Sequence, residues 1–313
     1  MTLQVGLVGF GVAGRQHADA LKDAGFARIR SVLDADPALD TGPLPRAQSW
    51  EALLADPEVD LIALCTPPGG RARLAEQALA AGKAVLLEKP PAVSVAELDA
   101  LVALADAQGL PVGVMLQHRH RLPDRITDLD WTAAASGVLQ VSRFRPPAHY
   151  RRVGWRHDPA ASLGGITAHL GVHYLDLACQ LLGEPSGVHL AGRREHIAGI
   201  DSRIAGVVEF TGGGLLSFVV TAESTVRTER LEILGAERRF LIQDGAVTVE
   251  TAGGAAEDLP GRPTWELRRE VYRELAGAVA TGTEPPRCSL RRARGITAVL
   301  EQVAVWQPLA VAA

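Results

Sequence analysis

The chain has 313 residues, 47% hydrophobic and 22% charged, with a formal net charge of −4. That length allows two domains with ample core material, and the acidic balance gives nucleic-acid binding no electrostatic support. No apolar run approaches the roughly 18 residues of a membrane span, no secretory leader is recognisable, and the three cysteines, without CxxC or metal-like spacing, suit a reduced cytoplasmic protein.

Residues 3–8, LQVGLV, read as a buried strand. Gly9, Gly11 and Gly14 follow it as G-x-G-x-x-G, and a helical stretch runs on to Gly25. A second strand, ARIRSVL, leads to Asp34, 20 residues after Gly14. Each part has a mechanical reason. Gly9 permits a tight turn, Gly11 lets a pyrophosphate approach the backbone, and Gly14 lets helix and strand pack closely. The helix N-terminus offers free N–H groups and a positive dipole end to the phosphates. The whole loop, with Phe10, Val12 and Ala13 between its glycines, is therefore the expected dinucleotide contact. A carboxylate at Asp34 accepts ribose hydroxyls and repels a 2′-phosphate, which favours NAD(H) over NADP(H). The competing readings are a glycine-rich tight turn and a methyltransferase-like nucleotide loop.

Strand and helix keep alternating. Helical 49–60 precedes the strand LIAL, which ends at Thr66-Pro67-Pro68. Helical 71–82 precedes the strand KAVLLEKP, which ends at Glu88-Lys89-Pro90. A helix over 94–109 carries Ser94 and Glu97 as a capping box, and the strand PVGVMLQHR ends at Gln117-His118-Arg119. This alternation predicts a doubly wound parallel sheet with right-handed crossovers. Ligands bind such sheets at the carboxyl ends of the strands. Thr66, Pro67, Glu88, Lys89 and Gln117 all fall there. Lys89 is one of only three lysines, beside Lys22 and Lys83, in a chain with 32 basic residues. A titratable amine kept at a strand end points to proton exchange, which an arginine cannot perform.

After about residue 120 the pattern changes to short strand-like runs separated by turns. Gly212-Gly213-Gly214 and Asp244-Gly245 read as hairpins. These runs predict a mostly antiparallel sheet of six or more strands, with helices near 265–281 and 289–306. One helical run, 166–182, interrupts them. His169, His173 and Asp176 lie on one face of it at i, i+4 and i+7, and Gly164 and Gly165 at its start let the backbone approach a ligand closely. The histidine pair suits acid–base work. Packing of both rings is the bland alternative, and no third ligand for a metal is evident.

The motifs VGFGVAG, TPP, AAGKAVLLEKP and GGITAHLGVHYLDLA, in that order, resemble those of the Gfo/Idh/MocA oxidoreductases over most of the chain. The resemblance implies a Rossmann dinucleotide domain over 1–118. It also implies an α+β substrate domain over 119–313, with a large open sheet that forms subunit contacts in a homodimer or homotetramer; the C-terminal helices are free to pack back on the first domain. It implies Lys89 as catalytic lysine and His173 as acid–base histidine. Two positions depart from the family pattern. His169 stands where an Asp often precedes the histidine, and Arg71 stands where a His often follows Thr-Pro.

The expected reaction passes hydride between NAD(H) and a secondary alcohol or ketone of a sugar, cyclitol or nucleotide sugar. The alternative is a non-catalytic sensor of the same fold. For the substrate, Lys89, Gln117, Arg119, Trp155, Arg156, His169 and His173 are the expected contacts. The arginine- and aromatic-rich stretches 117–121 and 149–157 lean towards an anionic sugar; a solvated basic loop is the other reading.

Overall fold

Two compact units make up the chain in the computed structural model, which describes residues 2–127, 131, 135–152 and 154–306. The first unit takes the residues up to His120 together with Pro263–Ala293; the second takes Arg121–Arg262 and the residues from Arg294 onward.

The first unit is built on a parallel sheet of β1 (Leu3–Val8), β2 (Ala27–Leu33), β3 (Leu61–Leu64), β4 (Ala84–Leu87) and β5 (Val112–Val114), in the order β2-β1-β3-β4-β5. Helices α1 (Val12–Leu21), α2 (Trp50–Ala55), α3 (Arg71–Ala80) and α4 (Val95–Gln108) alternate with the strands. Every residue of β3 and β4 is buried, as expected of strands covered on both faces, whose apolar runs are continuous rather than alternating. The strand order reverses between β1 and β3, so the ligand-binding crevice of such a sheet opens at their carboxyl ends. Ser94 caps α4 by accepting from Glu97 N–H at 3.1 Å, but the Glu97 carboxylate reaches back to Val93 N–H at 2.7 Å instead of to the cap residue.

Two distant pieces complete this unit. The helix Thr264–Thr281 places Val271, Tyr272 and Leu275 in one core with Val5, Leu7, Ala63 and Leu86, each large apolar side chain contributing about 1.5–3 kcal/mol. Residues 288–290 pair along β5, with Val114 N–H donating to Cys288 O at 2.7 Å and Leu290 N–H to Val112 O at 3.0 Å. That covers the sheet's edge. β5 is shorter than the strand expected through Arg119. Leu116 N–H turns back to Val114 O at 2.8 Å, and Gln117–Arg121 forms a 3-10 turn.

The second unit carries an eight-stranded sheet. Its strands are β6 (Ser136–Ser142), β7 (Pro185–Ile197), β8 (Ile200–Phe210), β9 (Leu215–Thr221), β10 (Thr228–Leu234), β11 (Arg238–Gln243), β12 (Ala246–Thr251) and β13 (Glu257–Leu259). They lie in the order β13-β12-β11-β10-β6-β9-β8-β7, antiparallel except for the β6–β9 pair. Both hairpins fall where turn chemistry puts them. Asp244 and Gly245 both have positive φ, 49° and 97°, the backbone of a two-residue turn that matches strand twist. Side chains alternate along β6, β9 and β10, one face buried and one open. The helix Val172–Leu182 packs on the buried face, where Tyr174 donates its hydroxyl to Glu229 at 2.7 Å. The open face presents Val138, Leu215, Val219 and Leu234, each more than 40% exposed.

The helical run expected over 166–182 divides into a π-helical turn, Thr167–Gly171, and the α-helix Val172–Leu182. Asp201 holds the entrance, accepting from Gly165 N–H at 2.6 Å, Thr167 N–H at 2.9 Å and the Thr167 hydroxyl at 2.7 Å. The close approach expected of the glycines here is to protein: a Cβ at Gly165 would lie 2.0 Å from Asp201 O. His169 therefore sits in the wide turn, half-buried, while His173 and Asp176 are buried in the regular helix.

Candidate active site

The glycine loop closes the carboxyl end of β1. Gly9 has φ +88°, and a Cβ on Gly14 would lie 2.1 Å from Gly9 O, so the turn and the start of α1 require both glycines. Gly11 is different: a Cβ there meets nothing within 4 Å, so protein packing does not demand this glycine. The N-terminus of α1 has no side-chain cap, which leaves its first N–H groups to bind an anion. Val12 beside them is 67% exposed. Asp34 ties the loop to β2 by accepting from Phe10 N–H at 2.6 Å and Asp36 N–H at 2.9 Å. A carboxylate has about four lone-pair sites, so these two bonds leave room for ribose hydroxyls. The residues present thus fit a dinucleotide.

At the ends of β3 and β4 the site is cross-braced. Arg71, buried, donates its guanidinium to the carbonyls of Thr66, Glu88 and Pro90. Burial lowers it to about 10 against the pull of Glu88, so it stays a cation. Glu88 is the centre of the arrangement. Its Oε1 lies 2.9 Å from His17 Nε2, and its Oε2 accepts from the Lys89 backbone N–H at 3.1 Å. His17 Nδ1 in turn lies 2.6 Å from the Tyr272 hydroxyl. Burial pushes the Tyr272 phenol well up and the His17 imidazole down. The phenol therefore donates to Nδ1, and neutral His17 donates Nε2–H to Glu88. Burial alone would raise Glu88, but the hydrogen bond and field of His17, with Arg268 and Lys89, bring it to about 2. Lys89 thus follows an ionised, fully positioned carboxylate. Two buried polar atoms at neighbouring strand ends, Thr66 Oγ1 and Gln117 Oε1, have no partner among the described residues.

In the second unit the rings of Tyr150 and Trp155 pack on His169, with centroids 5.9 Å and 5.8 Å away. Arg156 stacks over Trp155 at 5.3 Å. His173 lies one turn further along the helix. Among the described residues no three His, Cys, Asp or Glu side chains gather as a metal site, and no helix is long and apolar enough to cross a membrane.

Residues 3–116 match the family described as "Oxidoreductase family, NAD-binding Rossmann fold", and residues 111–241 match the GFO/IDH/MocA C-terminal domain. The chain belongs to the Gfo/Idh/MocA oxidoreductases. It is 28% identical over 283 residues to the D-xylose 1-dehydrogenase (NADP(+)) 2 of Haloferax volcanii, covering 87% of this chain and 84% of that one. Its fold matches UDP-N-acetylglucosamine 3-dehydrogenase GnnA from Acidithiobacillus ferrooxidans (TM-score 0.81, 21% identity, 97% of each chain). It also matches a levoglucosan dehydrogenase in complex with NADH (TM-score 0.84, 17% identity, 96% of this chain and 95% of that one).

Within this family frame, the first unit gathers Gly9, Phe10, Gly11, Val12, Ala13, Gly14, Asp34, Thr66, Pro67, Glu88, Lys89 and Gln117 at one sheet edge, and the second gathers Trp155, Arg156, His169 and His173. Arg119, expected at the substrate, spends its guanidinium on the carbonyls of Arg287, Ser289 and Arg292; it holds the strip that covers β5. Lys83 is buried and donates to Asp56 O at 2.7 Å and Val59 O at 2.9 Å, a structural use of its ammonium. Sequence reasoning missed His17, Tyr272 and Asp201, whereas Tyr150 lies in the stretch 149–157 that it read for an anionic sugar. Only His17 carried a local signal, lying on α1 three residues past Gly14.

Proposed function

We propose that this oxidoreductase passes hydride between NAD(H) and a secondary alcohol or ketone carbon of a sugar, cyclitol or nucleotide sugar. The observation that carries this reading is Lys89 at the carboxyl end of β4, its backbone N–H held by a Glu88 carboxylate that is itself fixed by His17 and Tyr272. Bound nicotinamide would accept or return the hydride. Lys89 takes or supplies the alcohol proton, and His173 takes part in proton transfer; a primary ammonium can exchange a proton where a guanidinium cannot. The backbone N–H groups of the glycine loop and the N-terminus of α1 bind the pyrophosphate. Asp34 favours the unphosphorylated ribose of NAD(H), although the Haloferax relative is named for NADP(+). The open face of the eight-stranded sheet suits a second copy of the chain in a homodimer or homotetramer, in the cytoplasm.

The test is a titration of NADH and NADPH followed by absorbance with sugars, cyclitols and nucleotide sugars, on the wild type and on Lys89→Met. Reduced nicotinamide should form with one substrate class. Lys89→Met should lose about 10²–10⁴-fold in turnover, the range of general acid–base catalysis, while still binding NADH. Near-normal turnover in the variant would exclude Lys89 as the proton carrier.

A further inference from the structure

We propose that Arg145, Arg156 and Tyr150 form a subsite for an oxyanion on the substrate, a phosphate or a carboxylate, so that the preferred substrate is an anionic sugar derivative. This deepens the dehydrogenase reading and rests on it.

The observation behind it is a mismatch of charge. Several other arginines of the second unit have carboxylate partners: Arg193 with Glu195 at 2.9 Å, Arg227 with Glu229 at 2.9 Å, Arg230 with Glu232 at 2.6 Å. Arg145 and Arg156 are half-buried, yet neither has an ion pair among the described residues. Arg156 Nε is shut off from solvent without a hydrogen bond among the described residues. The nearby carboxylate of Asp201 is committed to Gly165 and Thr167. Half-burying guanidinium groups with no counter-charge is costly unless a ligand brings one.

A second, independent observation is the Tyr150 hydroxyl. The residue is fully buried (0% exposed), and its hydroxyl has no hydrogen-bond partner among the described residues. An unpaired buried hydroxyl is normally satisfied by a partner or a ligand. Its ring lies against those of His149 (5.3 Å), His169 (5.9 Å) and His196 (6.1 Å). Burial, then the fields of Arg156, Arg145 and Arg152, lower His149 to about 4, so His149 is neutral at pH 7 and adds no competing charge. A planar guanidinium binds carboxylate or phosphate oxygens through paired N–H donors, and a protonated phenol adds another donor. The cluster packs on His169, one turn from His173, so an anionic substituent held here would place its sugar beside the histidine helix.

The test uses the full chain saturated with NADH, so that the phosphate contacts of the glycine loop are occupied. Inorganic phosphate is then titrated against thermal unfolding, at low and high salt. It should raise the melting temperature of the wild type, less so at high salt, and have at least tenfold weaker affinity for Arg145→Gln/Arg156→Gln, the scale of a lost charge-assisted hydrogen bond. Equal stabilisation of both proteins would overturn the subsite. Turnover comes second: kcat/KM for a sugar phosphate and for a sugar acid, each against its neutral parent. One of the two anions should exceed its parent by at least tenfold, which names the oxyanion, and the double variant should close that gap mainly through KM. No preference for either anion sinks the proposal. Arg156→Lys keeps the charge without the paired donors and should fall between; it serves if the double variant does not fold. Failure to bind NADH would instead overturn the dinucleotide reading, and the phosphate titration, read by its dependence on Arg145 and Arg156, would still decide the subsite.

Discussion

Around Glu88 in the first unit, one chain of buried groups is closed by protein partners: phenol to imidazole, imidazole to carboxylate, carboxylate to backbone N–H, with the Arg71 guanidinium on carbonyls beside it, although Thr66 Oγ1 and Arg268 Nε nearby have none among the described residues. Around Tyr150 in the second unit, a buried hydroxyl and a guanidinium nitrogen have none among the described residues. A chain of groups satisfied from within is rigid before any ligand arrives and suits a group common to every turnover, the role proposed for Lys89. A cluster left short of partners suits a group that the substrate itself brings. On the proposed reading, the first arrangement is built for chemistry and the second for choosing a substrate.

Three substitutions probe that contrast, from the largest effect to the smallest. Glu88→Gln removes the buried carboxylate that accepts from neutral His17 and from the Lys89 N–H, and should cost about 3 kcal/mol in urea unfolding, the scale of two hydrogen bonds to a charged group. Its pH dependence has a definite sign. The folded carboxyl titrates at about 2 against an ordinary 4.5, so its stabilisation is present above pH 4.5 and is lost as pH falls towards 2. The wild type should lose more stability over that window than Glu88→Gln; parallel curves would mean the carboxylate is not held ionised by its neighbours. Tyr272→Phe leaves buried His17 Nδ1 without its donor and should cost about 1–3 kcal/mol. Tyr150→Phe deletes an equally buried hydroxyl that has no partner, and should stay within about 0.5 kcal/mol of wild type while weakening phosphate binding. If the two tyrosines cost the same, the contrast between the regions is gone.

Much of the first unit was legible because its signals are local. A buried strand, three glycines and an acid 20 residues on form one continuous stretch, and Gly9 is explained by its own positive φ and Gly14 by Gly9 O within the turn. The hairpin at Asp244-Gly245 was readable for the same reason. What escaped was long-range. Tyr272 reaches His17 across 255 positions, and Arg119 meets its carbonyls 168 or more residues away. No periodicity carries such information. The π-helical turn at His169 was equally hidden, since Asp201, which holds its entrance, comes from another strand. Arg71 was the instructive case: where the family often has histidine, an arginine that cannot titrate suggests charge or packing, and its guanidinium ties three strand-end carbonyls together, contacts that no local signal carries.

The first unit borrows the helix Thr264–Thr281 and the strip at 288–290 from late in the chain, and the second unit in turn takes the residues from Arg294 onward. During synthesis, which proceeds from the N-terminus at about 5–20 residues per second, the parallel sheet is made early and then waits for its lid of Val271, Tyr272 and Leu275. A ribosome that stalled at residue 260 would release a nascent chain with that apolar face uncovered and His17 lacking its phenol. The protein is therefore indivisible by any single cut: neither unit is a finished object until the segments after Pro263 have been made.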